Sequence, residues 1–358
     1  MNEDCLKLTT YFGERDRTPN GLLADELLDI YGGHRVQSSI LLRGAEGFGR
    51  LHHLHTDRLL TLSEDLPVVS IAIDKRERIE TMLDLILQIE RKGLITLERA
   101  RLLRGEIPAV QLPEHLGEAT KLTVYVGRQE KAHGTTAFAA ITDLLYRRGI
   151  FGVSVLLGVD GTSRGRRVRA QFFGHNADVP VMIIAIGSGE KIAQVLPELG
   201  RLLHDQLMTL ERVRVCKRDG ELIAAPHELP ATDEHGLQMW QKLMIYTSHS
   251  ATHEGHPLHQ AIIRRLRESD AAGATTLRGV WGFHGDHAPD GDRFFQIRRH
   301  VPACTIVVDT PERTARSFKI IDELTAEHGL VTSEMVPAFK AMSEDGIKDG
   351  LPLASHEF

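Results

Sequence analysis

The sequence is poor in aromatic residues and in cysteine, and no stretch is apolar over the ~20 residues that a helix needs to cross a bilayer. Aromatics make up 5% of 358 residues, with only two tryptophans. The three cysteines, Cys5, Cys216 and Cys304, are scattered and show no Cys-x-x-Cys spacing. That excludes a disulfide framework and a cysteine-ligated zinc, and fits a reducing compartment. An excess of basic charge is also missing: 43 Lys and Arg stand against 49 Asp and Glu, a formal net charge of −6. A general nucleic-acid or membrane-surface binder is therefore not expected. The acidic start Met1-Asn2-Glu3-Asp4 lacks the apolar core of a signal peptide. No G-x-S-x-G elbow, Walker loop or spaced carboxylate pair appears, and the adjacent Glu64-Asp65 would diverge in a strand. The expectation is a cytoplasmic globular protein that is not an enzyme and has no nucleic-acid partner.

What the chain does have is internal repetition. Lys7-Leu8-Thr9-Thr10-Tyr11, Lys121-Leu122-Thr123-Val124-Tyr125 and Lys242-Leu243-Met244-Ile245-Tyr246 open three similar segments, displaced by 114 and 235 residues. Gly44 and Gly47 recur as Gly158 and Gly161, and as Gly279 and Gly282. Pro67 recurs as Pro180 and Pro302. Toward each end Leu94-Ile95-Thr96-x-Glu98 is answered by Leu207-Met208-Thr209-x-Glu211 and Leu330-Val331-Thr332-x-Glu334. One module is used three times.

Residues 1–103, 119–217 and 239–341 are assigned to modules 1, 2 (the diverged copy) and 3. Pro-, Gly- and Glu-rich linkers are expected at 104–118 and 218–238, and a flexible tail at 342–358. Within a module the first strand alternates Leu6, Leu8, Thr10 and Phe12 on one face with Lys7, Thr9 and Tyr11 on the other. A helix follows with apolar residues at Leu23, Leu27, Ile30 and Tyr31. Two β-branched runs come next, separated by a Gly-rich loop. The second helix carries Ile79, Met82, Leu83 and Ile86, and a last strand closes the unit. The order βαββαβ predicts an α+β fold of three tandem ferredoxin-like modules. Helices cover one face of each sheet, so the bare face needs a partner, and the next repeat is the natural one. Lys and Tyr on the first strand would then lie near the contact between sheets, read here as packing residues, the lysine snorkelling and the tyrosine bonding through its hydroxyl.

The most specific motif is Leu42-Arg43-Gly44-Ala45-Glu46-Gly47-Phe48-Gly49, matched by Leu277-Arg278-Gly279-Val280-Trp281-Gly282-Phe283. With the stretch Ser63-Glu64-Asp65-Leu66-Pro67-Val68-Val69 it resembles a PII-like family, the domain of unknown function numbered one-ninety, of the PII and CutA-type superfamily. The resemblance covers most of all three repeats and is weakest in the second. It implies a compact trimer with ligand clefts between subunits, here fused into one chain as an intramolecular pseudo-trimer that stays monomeric. It also implies a signalling or regulatory role: a small anionic ligand, possible adenine nucleotide, and a protein partner such as a membrane transporter or channel, or an enzyme. The second phosphate-cradling loop of PII proteins has no counterpart here, where Arg91-Lys92-Gly93-Leu94, His204-Asp205-Gln206-Leu207 and Glu327-His328-Gly329-Leu330 occupy that place.

Arg43, Gly44, Gly47, Phe48 and Gly49, with Arg278, Gly279, Gly282 and Phe283, are the candidate ligand-binding residues. Their backbone N–H groups suit an anion nest and the arginines a charged fork. The competing reading is a tight turn whose glycines take positive φ and whose phenylalanine plugs an interface. Repeat 2 replaces Arg43 by Leu157 and Phe48 by Thr162, so the three clefts are not equivalent. It carries instead Arg164, Arg166, Arg167 and Arg169, either a grip for a polyanion or acidic surface or a solvated loop. Nineteen histidines, with clusters at His52, His53 and His55 and at His249, His253, His256 and His259, keep a CutA-like divalent-metal protein as the alternative, although no metal-ligand motif accompanies them. An interaction scaffold without a small ligand is the third reading.

Overall fold

A computed structural model describes residues 2–49, 54–56, 65–89, 93–103, 119–163, 165–169, 179–203, 206–234, 236, 238–285, 289–291, 301–336, 338–343 and 346–349. The linker at 104–118, His52, His53, Arg164 and residues 350–358 lie outside the described residues.

Module 1 runs β1 (Asn2–Gly13), α1 (Leu23–Gly33), β2 (Ser38–Phe48), β3 (Pro67–Lys75), α2 (Arg76–Ile89) and β4 (Leu94–Leu103). Module 2 repeats it as β5 (Thr120–Gly127), α3 (Ala137–Arg147), β6 (Gly152–Leu157), β7 (Pro180–Gly187), α4 (Gly189–Leu202) and β8 (Leu207–Arg212). Module 3 has β9 (Trp240–Ser248), α5 (Leu258–Glu268), β10 (Ala274–Arg278), β11 (Pro302–Asp309), α6 (Pro311–Leu324) and β12 (Leu330–Val336). In each, the second strand pairs with the third, the third with the first and the first with the fourth, all antiparallel. The described residues thus form six helices on a large antiparallel sheet network. None of these helices is long and apolar enough to cross a membrane.

The helical periodicity places the cores. Leu27 and Tyr31 of α1 and Ile79, Met82 and Ile86 of α2 are fully buried against Leu6 and Leu8 of β1. Ile30 is only half-buried, and Leu28 takes its place. Equivalent helix-side cores form in module 2 around Ile141 and Leu196 and in module 3 around Ile262 and Ile321. A fourth core joins the opposite sheet faces of all three modules, with Ile71, Ile184 and Ile306 among its members. Both faces of every first strand are therefore buried, which explains why Lys7, Lys121 and Lys242 are at most 6% exposed. The three cysteines are buried too, and burial pushes the Cys216 and Cys304 thiols up to about 12.

Two cyclic sets of strand exchanges tie the modules. The end of β4 pairs with β8 (Leu103 opposite Met208), Arg214–Arg218 pairs with β12, and Ala338–Ser343 pairs back onto β4 (Ala338 opposite Leu97). On the other side, the end of β2 pairs with β10, Trp281–His284 pairs with β6, and Asp160–Ser163 pairs with β2. The expected tail differs from what is found: Ala338–Ser343 turns back as a hairpin with Gly346–Asp349, so pairing runs past residue 341. The 218–238 segment is also more than a spacer. Glu221–Leu222 pairs with Lys217–Arg218, Thr232 bridges Gln238, and Leu229 packs on the helix-side core of module 1. Strand extensions satisfy backbone N–H and C=O groups that a loop would have to leave to water.

Candidate functional site

The Gly-rich motif lies where each second strand leaves its own module. Gly44 opposes Leu277 and Gly47 opposes Thr275 of module 3, and Phe48 enters the module 3 core beside Ile262 and Leu243. In module 3, Gly282 opposes Ser154, and Phe283 enters the module 2 core, edge-on to Tyr146 at 5.1 Å. Module 2 completes the cycle with Thr162, whose Oγ1 meets Ser39 Oγ at 3.0 Å and donates to the Val36 carbonyl at 3.3 Å. A threonine satisfies buried polar groups here where the other two modules bury a ring.

The glycines serve close approach. A Cβ on Gly47 would stand 2.6 Å from the Ala274 carbonyl oxygen, and on Gly44 2.7 Å from Pro67 Cγ. On Gly279 it would stand 3.0 Å from Pro302 Cγ. Only Gly282 of the candidate glycines has a positive φ, 150°. The positive-φ expectation thus fails for Gly44, Gly47 and Gly49, because the constraint at the first two is a neighbouring strand and not a turn. Gly49 is exposed, and no atom of the described residues would lie within 4 Å of a Cβ there.

Arg43 and Arg278 stay at the surface beside these crossings. Arg43 Nη2 donates to Glu14 Oε2 at 2.8 Å, a half-exposed pair. In repeat 2, Arg167 is neither simply solvated nor left open for an external polyanion, because carboxylates of this chain engage it. Its guanidinium meets Asp160 Oδ2 at 2.9 Å and Asp25 Oδ1 of α1 at 2.8 Å, and also Asp29. Burial alone would lower its pKa, but the hydrogen bonds to Asp160, Asp25 and Asp29 raise it. Arg169 reinforces the lock at 3.2 Å from Asp25. His256 sits in a short ribbon before α5 and His259 on α5, its ring 4.8 Å from that of His249. Among the described residues, the only group of three or more histidine, cysteine or acidic side chains close enough to share an ion contains no histidine.

That group is Glu98, Glu211 and Glu334, and it is half of a buried ion ring. Lys7 faces Glu98 across β1 and β4, Lys121 faces Glu211 across β5 and β8, and Lys242 faces Glu334 across β9 and β12. Those pairs close at 2.8, 3.0 and 2.9 Å. Each lysine also reaches the glutamate of the following module: Lys7 to Glu211, Lys121 to Glu334 and Lys242 to Glu98. Six charges alternate in a closed ring, every Oε2 accepting from two ammonium groups. The Oε1 atom of Glu98 accepts from Thr96 at 3.1 Å.

Burial would lower the Lys7 ammonium, but Glu211, Glu98 and Glu334 outweigh it and hold it well above its ordinary value. Burial would likewise raise the Glu98 carboxyl, yet Lys242, Lys7 and Lys121 hold it well below. Glu334 is lowered by the same opposition. At Lys121 burial wins over Glu211 and Glu334, and the pKa falls. Its two carboxylate contacts are still those of an ammonium. Beside the ring lies a cavity of about 30 Å³, lined by all three lysines, Glu98, Thr9 and Tyr125 among others.

Both halves of the ring are visible in the sequence as separate recurring motifs, Lys-x-Thr/Met-x-Tyr and Thr-x-Glu. What sequence reasoning missed is that the two motifs sit on neighbouring strands in register. The usable signal was their nearly equal displacement, within one residue: 114 and 235 for lysine, 113 and 236 for glutamate.

The geometry defines a protein of three tandem α+β modules closed on one another by strand exchange and a shared ion ring. Residues 5–102, 119–215 and 240–338 each match the family model DUF190, described as an uncharacterized ACR, and the chain belongs to that family in three tandem copies. A UPF0166 protein of Aquifex aeolicus (strain VF5) is 30% identical over 95 residues, 26% of this chain and 88% of that protein. One module of this chain therefore corresponds to nearly the whole of that relative.

Proposed function

We propose that this chain is a PII-like regulatory protein, a single-chain pseudo-trimer of ferredoxin-like modules. It binds a small anionic ligand at the module junctions and passes that state to a protein partner. The strand order within each module supports the ferredoxin-like reading. The two cyclic strand exchanges, with the ring between them, support the pseudo-trimer, because closed symmetry leaves no module face open to further copies. Native mass measured by light scattering is then expected at one chain, 39.9 kDa. A species of three chains would sink the intramolecular closure.

The observation that carries the ligand reading is the placement of Arg43 and Arg278. Each is exposed at the strand crossing that buries Phe48 or Phe283 in a neighbouring module. A guanidinium there can take an anion bidentately while the aromatic beneath stays in the core. Ligand binding would then act on the crossing between two modules. The experiment is a thermal-shift panel of adenine and guanine nucleotides, with and without magnesium, on the native chain and on Arg43→Ala/Arg278→Ala. A nucleotide-specific rise is expected in the native chain and is expected to vanish in the double variant. Because the Arg43–Glu14 pair is surface-exposed, the unliganded melting temperature should stay nearly constant. A rise with zinc or copper alone replaces this reading with metal binding. No rise with any ligand replaces it with an interaction scaffold.

A further inference from the structure

The junction reading leaves the cavity beside the ion ring unused, and its lining has a definite chemical bias. Each lysine ammonium has three N–H groups and spends two on carboxylates, which leaves one per lysine. All three lysines line the cavity, whereas only Glu98 of the three glutamates does. The ring is neutral as a whole but presents its positive side to this space. Two further hydroxyls line it without a hydrogen-bond partner: Thr9 Oγ1, on a residue 2% exposed, and Tyr125 Oη, on one 4% exposed.

The orphan acceptors of the ring lie elsewhere. Glu211 Oε1 and Glu334 Oε1 lack partners, but so do Thr209 Oγ1 and Thr332 Oγ1, two residues before them. That is the spacing at which Thr96 bonds Glu98, so a threonine hydroxyl stands two residues before each of those acceptors in its own strand, away from the cavity lining. The cavity itself is left with surplus donors.

We infer that this cavity binds one small monatomic anion of halide size, held by Lys7, Lys121, Lys242, Thr9 and Tyr125. A volume of about 30 Å³ has room for roughly two waters or one such ion, and none for a phosphate ester or nucleotide. A metal cation is a poor fit, because the carboxylate oxygens facing one another already accept two ammonium groups each. Apart from Glu98, Tyr11 and Thr123, the remaining walls, including Ile71, Met182 and Met244, are apolar and cannot reproduce a hydration shell. That favours a weakly hydrated halide. An ion at this point touches all three modules, so its occupancy acts on their closure as a whole.

The test is a crystal structure of the full chain prepared and crystallised in bromide, with data collected at the bromine edge, in parallel with Thr9→Val/Tyr125→Phe. An anomalous peak in the cavity of the native chain, absent from the double variant, is expected. Melting at constant ionic strength should show a rise in bromide over acetate that the variant loses, while its circular dichroism stays native. Water density without anomalous signal, an empty cavity, or a bromide peak that persists unchanged in the variant would each overturn the assignment. An equal bromide effect on both proteins would do the same.

Discussion

Glu98→Gln is expected to lower the unfolding free energy by about 3–5 kcal/mol, the cost of leaving buried charge uncompensated. For a chain of 358 residues that is a drop of roughly 4–7 °C in melting temperature. Glu98 accepts from both Lys7 and Lys242, and its loss leaves a net positive charge among residues no more than 6% exposed. Lys7→Met/Glu98→Gln is expected to cost clearly less than the sum of its two single changes. Removing those neighbours leaves Glu211–Lys121–Glu334–Lys242, a chain that still alternates in sign and in which no charge stands alone. Chemical denaturation of the two singles and the double closes the cycle. Strictly additive costs would show that the six charges do not act as one ring.

The same ring sets a pH window. The folded pKa of Glu98 and Glu334 lies below the ordinary 4.5, so their contribution is complete above that value and disappears as pH falls through the folded pKa. For Lys7 the folded pKa lies above 10.5, so its contribution is complete below that value and disappears as pH rises through the folded one. Stability from these three groups is thus a plateau bounded by acid and alkaline losses, while Lys121, whose folded pKa is lowered by burial, acts in the opposite sense on the alkaline side. Glu98→Gln should flatten the acid limb of the native chain's pH–stability curve.

The modular part of the fold was legible because it rests on local periodicity. Apolar residues at helical spacing put Ile79, Met82, Leu83 and Ile86 on one buried face, as they do Ile192, Val195, Leu196 and Leu199 in the second copy. The closure between modules was only half legible. The bare sheet faces called for one another, but the registers that join β4 to β8, or Trp281–His284 to β6, depend on pairing between residues about a hundred or more positions apart. No local pattern encodes them. Lys7 and Glu98 stood out separately for the same reason: a recurring residue marks a constraint without naming its partner. The glycine motif was expected as a loop after the second strand, but Gly44 and Gly47 lie within that strand, Ser38–Phe48, because it runs on to pair with module 3; the Phe48 plug was one of the motif's two readings. The conformational argument, positive φ, was the wrong one for Gly44 and Gly47, because what forbids a side chain there belongs to a strand or proline elsewhere in the chain. Arg167 was harder still, since Asp25 and Asp29, which bind it, lie in a different module.

Gly282→Ala is expected to cost about 3 kcal/mol or more, combining a steric clash with backbone strain. Its Cβ would fall 2.1 Å from the Val153 carbonyl oxygen and 2.7 Å from Pro302 Cγ, at a φ of 150° that L residues rarely adopt. The carbonyl belongs to β6, held by β7 on its other side, so it cannot retreat without disturbing the module 2 sheet. Gly161→Ala meets the same obstacle in the next junction, 2.2 Å from the Ser39 carbonyl oxygen. Gly49→Ala is the control from the same motif: among the described residues nothing lies within 4 Å of its Cβ, and its effect should stay within about 0.5 kcal/mol. The damage should also be local in kind. Withdrawal of Trp281–His284 from β6 exposes the amides of Gly152–Val155 and takes Phe283 out of the module 2 core, while α1 and α2 keep their packing. Hydrogen exchange by mass spectrometry reads this directly, as faster exchange over 152–155 and 281–284 against an unchanged 23–33. Equal stability of Gly282→Ala and Gly49→Ala, with no change in exchange at the junction, would mean that the recurring Gly-x-x-Gly is not what permits the modules to interlock.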